Sequence, residues 1–250
     1  MIGEPRRSSR RVDVRFGTPR RHYRIVGSTN DAARELALAG APSGTVVTAA
    51  EQSAGRGRTG RRWSAPAGTA LLATTILRPL EEAHALLPLA VPIGVCEAIE
   101  SLAPIRCEVK WPNDVWIEER KAGGVLIEAR PPDWAAIGVG VNLAIPDDAF
   151  PADLRWPATS VGHRVGQDEM LRALCERLDR WVGAPAAEIL AAFEGRNALR
   201  GRRLAWDGAG GTTPSGSGVA DGVDGRGNLR VRADSGGLVA LGAGEVQLAL

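Results

Sequence analysis

Strand-like apolar runs alternate with a single long helical stretch between residues 45 and 143, and that order excludes an all-helical or a purely β fold. The runs cover residues 45–50, 70–77, 106–111, 115–118, 124–129 and 134–143, several apolar enough to lie in the middle of a sheet. The intervening residues 83–102 read as a helix that Pro88 and Pro92 restrict at its start or kink. Upstream, Ser28-Thr29-Asn30-Asp31 opens a helical run that stops at Gly40, and Ser28 with Asp31 fits a capping box. Downstream, Met170, Leu171, Leu174, Leu178, Trp181, Ile189, Leu190 and Phe193 define two amphipathic helices broken at Gly183-Ala184-Pro185. Beyond residue 200, short alternating runs (RRLAW, LRVRA, GLVAL, EVQLA) are separated by glycine clusters, the longest at residues 207–218. The expected class is α+β. A basic tail without regular structure (1–24) precedes a mixed-sheet domain with flanking helices (25–198) and a small C-terminal β-barrel (199–250).

Composition narrows the function. At 44% hydrophobic and 24% charged residues the chain is of ordinary globular type, and its longest apolar stretch, residues 86–95, falls well short of the roughly 18 residues that cross a bilayer. No membrane association is expected. The N-terminus has charge but no apolar segment behind it, so it does not read as a secretory signal. Cys96, Cys107 and Cys175 are widely spaced and form neither a disulfide framework nor a zinc pattern, which points to core packing in the reducing cytoplasm. His22, His84 and His163 cluster with nothing and receive no role. Residues 1–24 hold eight arginines against Glu4 and Asp13, so the rest of the chain is net acidic. A solvated terminus accounts for that segment better than nucleic-acid binding, because it lacks aromatic interleaving.

The loop Gly55-Arg56-Gly57-Arg58-Thr59-Gly60 matches G-x-G-x-x-G and follows a strand. A dinucleotide site also needs an apolar helix directly after the loop, and here Arg61-Arg62-Trp63-Ser64-Ala65-Pro66 intervenes. What survives is physical: glycines let the backbone approach a ligand, and arginine forks neutralise phosphate or carboxylate oxygens. The lysines point the same way. Of 31 cationic side chains only Lys110 and Lys121 are lysine, in a chain that otherwise uses arginine. Two positions so close together indicate a need for a compact charge on a flexible stem.

Both lysines sit in glycine- and asparagine-bearing patches: Lys110-Trp111-Pro112-Asn113-Asp114 and Arg120-Lys121-Ala122-Gly123-Gly124. With Ser28-Thr29-Asn30, the segment from Gln52 to Trp63, and Gly138-Val139-Gly140-Val141-Asn142, these patches resemble the biotin protein ligase family in order and spacing over about residues 25–145. The β-rich end of the chain resembles that family's small SH3-like domain. The resemblance implies a two-step reaction, in which biotin and Mg-ATP give biotinyl-5′-AMP and pyrophosphate, and a lysine of a biotin carboxyl carrier protein then takes the acyl group.

On that resemblance Lys121 and Arg58 are the catalytic cations, with Arg56 beside them, and the loop around Gly57 orders over the reactive anhydride. Ser28, Thr29, Asn30 and Gln52 would line the biotin pocket, and Gly123 and Gly124 would allow close backbone packing against the ligand. Trp63 would face the adenine, with Asn142 as a polar edge and Lys110, Asn113 and Asp114 near the nucleotide. Magnesium would travel with ATP, since no direct metal motif is present. Arg226 and Arg230 are further candidate contacts. Only 27 residues precede Ser28, too few for the winged DNA-binding domain of many relatives, so no specific operator is expected. A lipoate or other small-acid ligase is the alternative within the fold; a non-catalytic nucleic-acid-binding protein is the alternative outside it. Lipoate lacks the ureido group and would leave polar pocket residues unsatisfied at about 1–3 kcal/mol each. Monomer and homodimer are both compatible with the sequence.

Overall fold

A computed structural model of the chain describes residues 15–152, 154, 156–162, 164–207, 214–242 and 246–248. Seven strands form one mixed sheet: β1 (Arg20–Val26), β2 (Val46–Gln52), β3 (Ala70–Leu77), β4 (Glu108–Lys110), β5 (Asp114–Ile117), β6 (Arg120–Arg130) and β7 (Trp134–Asn142). Their spatial order is β1-β2-β3-β7-β6-β5-β4, with β1 and β2 parallel and every other pair antiparallel. The parallel pair needs a crossover, supplied by helix α1 (Thr29–Leu38).

Alternation along the strands sends successive side chains to opposite faces. On one face Val46, Leu71, Ala73, Leu77, Ile137, Val139 and Val141 pack under α2 (Leu87–Leu102) and α3 (Gln167–Trp181). Each such Val, Leu or Ile contributes about 1.5–3 kcal/mol by leaving water. On the other face Val47, Ile76, Trp134 and Ala136 meet Ala32, Ala33 and Ala37 of α1, whose small side chains bring the helix close to the sheet. Helix α1 covers only part of that face. Where it stops, β7 continues with Gly138, Gly140 and Asn142, and the sheet floor lies open to a cavity.

Several boundaries differ from the sequence expectation. The tail was expected to run to residue 24, yet residues 20–24 belong to β1, whose side chains are mostly exposed because it is an edge strand held by main-chain bonds to β2. Residues 1–14 of that tail lie outside the described residues. The helix expected from residue 83 begins at Leu87, with Pro88 in its first turn and a separate 3-10 turn at Glu82–His84. The capping box at Ser28 does not form: Ser28 is the N-cap in extended geometry, but its side chain makes no capping bond.

Helix α4 (Ala186–Glu194) leads into a second, antiparallel sheet of β8 (Arg203–Trp206), β9 (Gly216–Val223), β10 (Leu229–Ala233), β11 (Leu238–Leu241) and β12 (Val246–Leu248), in the order β11-β10-β9-β8-β12. Strand β9 was missed because its three glycines erase the apolar alternation, and it begins inside the expected 207–218 loop, of which residues 208–213 lie outside the described set. This sheet is held to α4 by Val223 N–H to Glu194 Oε1 at 2.6 Å and to the first sheet by Trp111 Nε1–H to Gly227 O at 3.0 Å.

Candidate active site

Cross-strand register assembles the cavity floor. Opposed residues of antiparallel strands share a face, so Lys110 (β4), Asp114 (β5), Gly124 (β6), Gly140 (β7) and Leu72 (β3) form one row across the sheet. Trp111 and Val115 alternate into the core behind them. Lys121 lies three residues before Gly124, a spacing that puts two residues of a regular strand on opposite faces. A bulge in β6 resolves this: Val115 pairs with Gly123 and Trp116 with Lys121, so the extra residue returns Lys121 to the cavity face.

The cavity measures about 560 Å³. At one end stand Ser28, Thr29 and Asn30, all buried, together with Gln52. Gln52 Oε1 accepts from Thr29 N at 2.7 Å and Thr29 Oγ1 at 3.0 Å. Asn30 is fully engaged: its amide donates to Leu126 O and Glu128 Oε2 at 3.2 and 2.9 Å, and its oxygen lies 2.8 Å from the Thr74 hydroxyl. At the other end Lys121 Nζ meets Asp114 Oδ1 at 2.6 Å and lies 5.7 Å from the centre of the Trp63 ring. Lys110 is buried over Trp156 and Trp116, its Nζ 4.9 and 5.9 Å from the ring centres. Trp63 packs so closely on the sheet that a Cβ at Gly140 would come within 2.6 Å of the indole. Its Nε1–H is buried without an acceptor among the described residues, a vacancy that a polar ligand atom can fill.

The glycine loop roofs this cavity as a narrow hairpin. Gly57 N–H donates to Arg61 O at 2.8 Å and Trp63 N–H to Gly55 O at 3.0 Å, which brings Arg58-Thr59-Gly60 to the tip. Thr59 there has φ 53°, a left-handed conformation unusual for a β-branched residue. Arg58 Nη1 lies 3.5 Å from Asn113 Oδ1, while Asn113 Nδ2 ties to Val125 O at 2.8 Å. A second cavity of about 870 Å³ shares the loop as a wall and reaches Leu86, Leu89, Trp111 and Arg226. Among the described residues no group of three or more His, Cys, Asp or Glu converges to hold a metal ion. None of the described helices is long and apolar enough to cross a membrane.

Residues 22–142 match the Biotin/lipoate A/B protein ligase family. A biotin--[acetyl-CoA-carboxylase] ligase of Paracoccus denitrificans is 34% identical over 225 residues, covering 84% of this chain and 92% of the relative. This chain belongs to the biotin/lipoate ligase family. A biotin--[acetyl-CoA-carboxylase] ligase of Mycobacterium tuberculosis, 32% identical, covers 88% of the chain and 85% of its own length. The bifunctional ligase/repressor BirA of Bacillus spizizenii is 36% identical over 179 residues, 69% of the chain and 51% of the relative, so the chain spans about half of that protein's length. Among solved structures, the biotin protein ligase of Aquifex aeolicus in complex with biotin and ATP aligns with TM-score 0.76 and 26% identity over 92% of this chain and 98% of that one.

Within this family member, the structure gathers Ser28, Thr29, Asn30, Gln52, Arg56, Gly57, Arg58, Trp63, Lys110, Asn113, Asp114, Lys121, Gly124 and Asn142 around one cavity. Arg226 lines the other, and Arg230 lines neither. Three of these residues also bond within the fold. Asn30 lines the cavity with its amide nitrogen bonded to Leu126 O and Glu128 Oε2. Asn142 donates to Lys121 O and Thr159 O at 3.3 and 3.0 Å, which commits its nitrogen. Arg56 lines the cavity and is also paired with Asp31 at 2.6 Å and with Glu128. Sequence reading missed the segment carrying Phe150, Leu154 and Trp156, which closes the cavity through Lys121 N–H to Pro157 O at 2.7 Å. Only the tryptophan marked it.

Proposed function

We propose that this protein is an ATP-dependent ligase that activates biotin as biotinyl-5′-AMP and transfers it to a lysine of a biotin carboxyl carrier protein or domain of a biotin-dependent carboxylase such as acetyl-CoA carboxylase. The observation that carries the reading is the two-ended cavity: a polar, mostly uncharged end at Ser28, Thr29 and Gln52, and a charged end at Lys121, Asp114 and Arg58. A ureido ring needs donors and acceptors without net charge, and a carboxylate meeting an α-phosphate needs cations.

In the first step a biotin carboxylate oxygen attacks the α-phosphorus, and pyrophosphate leaves with the electron pair of the broken P–O bond. Lys121 and Arg58 balance the charge of the two anions and align them, and the hairpin excludes water from the anhydride. Asp114 keeps the Lys121 ammonium in place. In the second step the carrier lysine, as the free amine, attacks the acyl carbon; AMP leaves, and the amine proton passes to solvent. Trp63 offers a face to the adenine, and Asn113, Lys110 and the Asn142 oxygen lie at the nucleotide end. Magnesium arrives with the nucleotide. Residues 25–198 form the catalytic domain and 199–250 an SH3-like appendage, and the protein works in the cytoplasm.

ATP–pyrophosphate exchange with biotin, lipoate, octanoate or no acid tests the proposal. Exchange with biotin alone is the expected result. Exchange with lipoate but not biotin overturns the pocket reading, and no exchange with any acid overturns the ligase reading.

A further inference from the structure

The two arginines of the glycine loop stand in different surroundings. Arg56 Nη1 bonds Asp31 Oδ1 at 2.6 Å, and its Nη2 bonds Glu128 Oε1. These side chains are between 27% and 36% exposed, sheltered enough for the pairing to exceed that of a solvated surface pair. The other oxygen of Glu128 accepts from Asn30 Nδ2 at 2.9 Å, and Asn30 Oδ1 rests 2.8 Å from Thr74 Oγ1. A polar chain thus runs from β3 through α1 and β6 to the base of the loop. It depends on Gly138, where a Cβ would stand 2.0 Å from Asn30 Oδ1. A cation meant for an anionic substrate gains nothing from two carboxylates already on its fork. The same geometry suits a cation that fastens a loop.

We infer that Asp31 and Glu128 are positioning residues that clamp Arg56, fix the base of the glycine hairpin over the cavity and leave Arg58 at its tip to meet the substrate. The inference rests on the ligase reading for its kinetic consequence and on geometry alone for its structural one. With the base fastened, fewer backbone torsions remain to be ordered when ligand binds, so the clamp acts on ligand retention rather than on the chemical step.

The test uses Glu128→Gln and Asp31→Asn in the full chain, each with Arg56 intact and with Arg56→Gln. Two readouts are independent. Tryptic cleavage after Arg58, followed by mass in the unliganded protein, is expected to rise several-fold in each single variant with the thermal midpoint held. In pyrophosphate exchange the KM for biotin is expected to rise roughly tenfold while kcat changes less than about threefold. Glu128→Asp restores part of both, and neither substitution adds an effect once Arg56 is Gln. Wild-type cleavage and wild-type KM in both variants overturn the clamp, as do effects that persist in the Arg56→Gln background or that fall on kcat alone. A wild-type protein that exchanges with no acid removes the ligase reading but leaves the cleavage measurement to decide the clamp.

Discussion

Lys121 shows how much one side chain can depend on shape. Its Nζ bonds Asp114 and lies over the Trp63 ring, and a Cβ at Gly124 would already stand 3.4 Å from that nitrogen. A guanidinium keeps the charge but needs a wider planar seat. Lys121→Arg is therefore expected to slow adenylate formation by roughly tenfold to a hundredfold while the fold persists. Single-turnover rates equal to wild type would remove Lys121 from the reaction. Gly140 makes a steric argument instead. Ala at this position puts a methyl within 2.6 Å of the Trp63 ring and must displace it. Gly140→Ala is expected to cost about 1–3 kcal/mol in stability through overpacking and to weaken nucleotide binding, measured by calorimetry. Unchanged affinity would show that Trp63 serves packing alone.

Between elements, one dependence on pH lies where α2 meets the segment after α4. The Glu100 carboxylate forms a two-pronged pair with Arg196, 2.6 and 2.7 Å, and accepts Cys107 N–H at 2.9 Å. Burial pushes the Glu100 carboxyl up, but the Arg196 guanidinium and the Cys107 N–H outweigh it and hold it below its ordinary 4.5. A carboxyl lowered in the folded state stabilises the fold above that ordinary value and loses the contribution as pH falls through the lower folded one. The melting temperature of Glu100→Gln should lie below wild type by roughly 2–4 °C at neutral pH, and the gap should close as the medium is taken below 4.5. A gap of the same size in acid would assign the loss to packing. The nearby Cys96 thiol is pushed well up by burial, beside Cys107, so it stays protonated as a core group.

Across the whole molecule, the second sheet touches the first beside the site. Trp111 follows the cavity lysine Lys110 directly, and its indole N–H holds the turn at Gly227. That turn is stiffened by Asp224, which accepts the N–H groups of Arg226 and Asn228 at 2.8 and 2.9 Å. Trp111→Phe keeps an aromatic ring in the core and removes the bond. It is expected to cost about 1 kcal/mol and to raise amide exchange in β10 more than in β7. Equal exchange in both would mean that the two sheets do not rely on this bond. Trp111 is thus one joint between the two sheets.

The sequence by itself determined the class of fold and the family, because period-two apolar runs, helical spacing and glycine-bearing motifs are local properties. Residues 70–77 are read as a strand and form one, and the break between α3 and α4 lies where Gly183 and Pro185 put it. Most of the cavity lining was equally legible, since glycine, asparagine and lone lysines stand out from an arginine-rich background. Tertiary structure alone decided what those residues do. The β6 bulge that returns Lys121 to the cavity, the carboxylates of Asp31 and Glu128 on Arg56, and the edge strand β1 depend on partners 25 to 72 residues apart in sequence or on strand register. Register and side-chain pairing are set by which faces bury against each other, and a linear pattern carries no record of that choice.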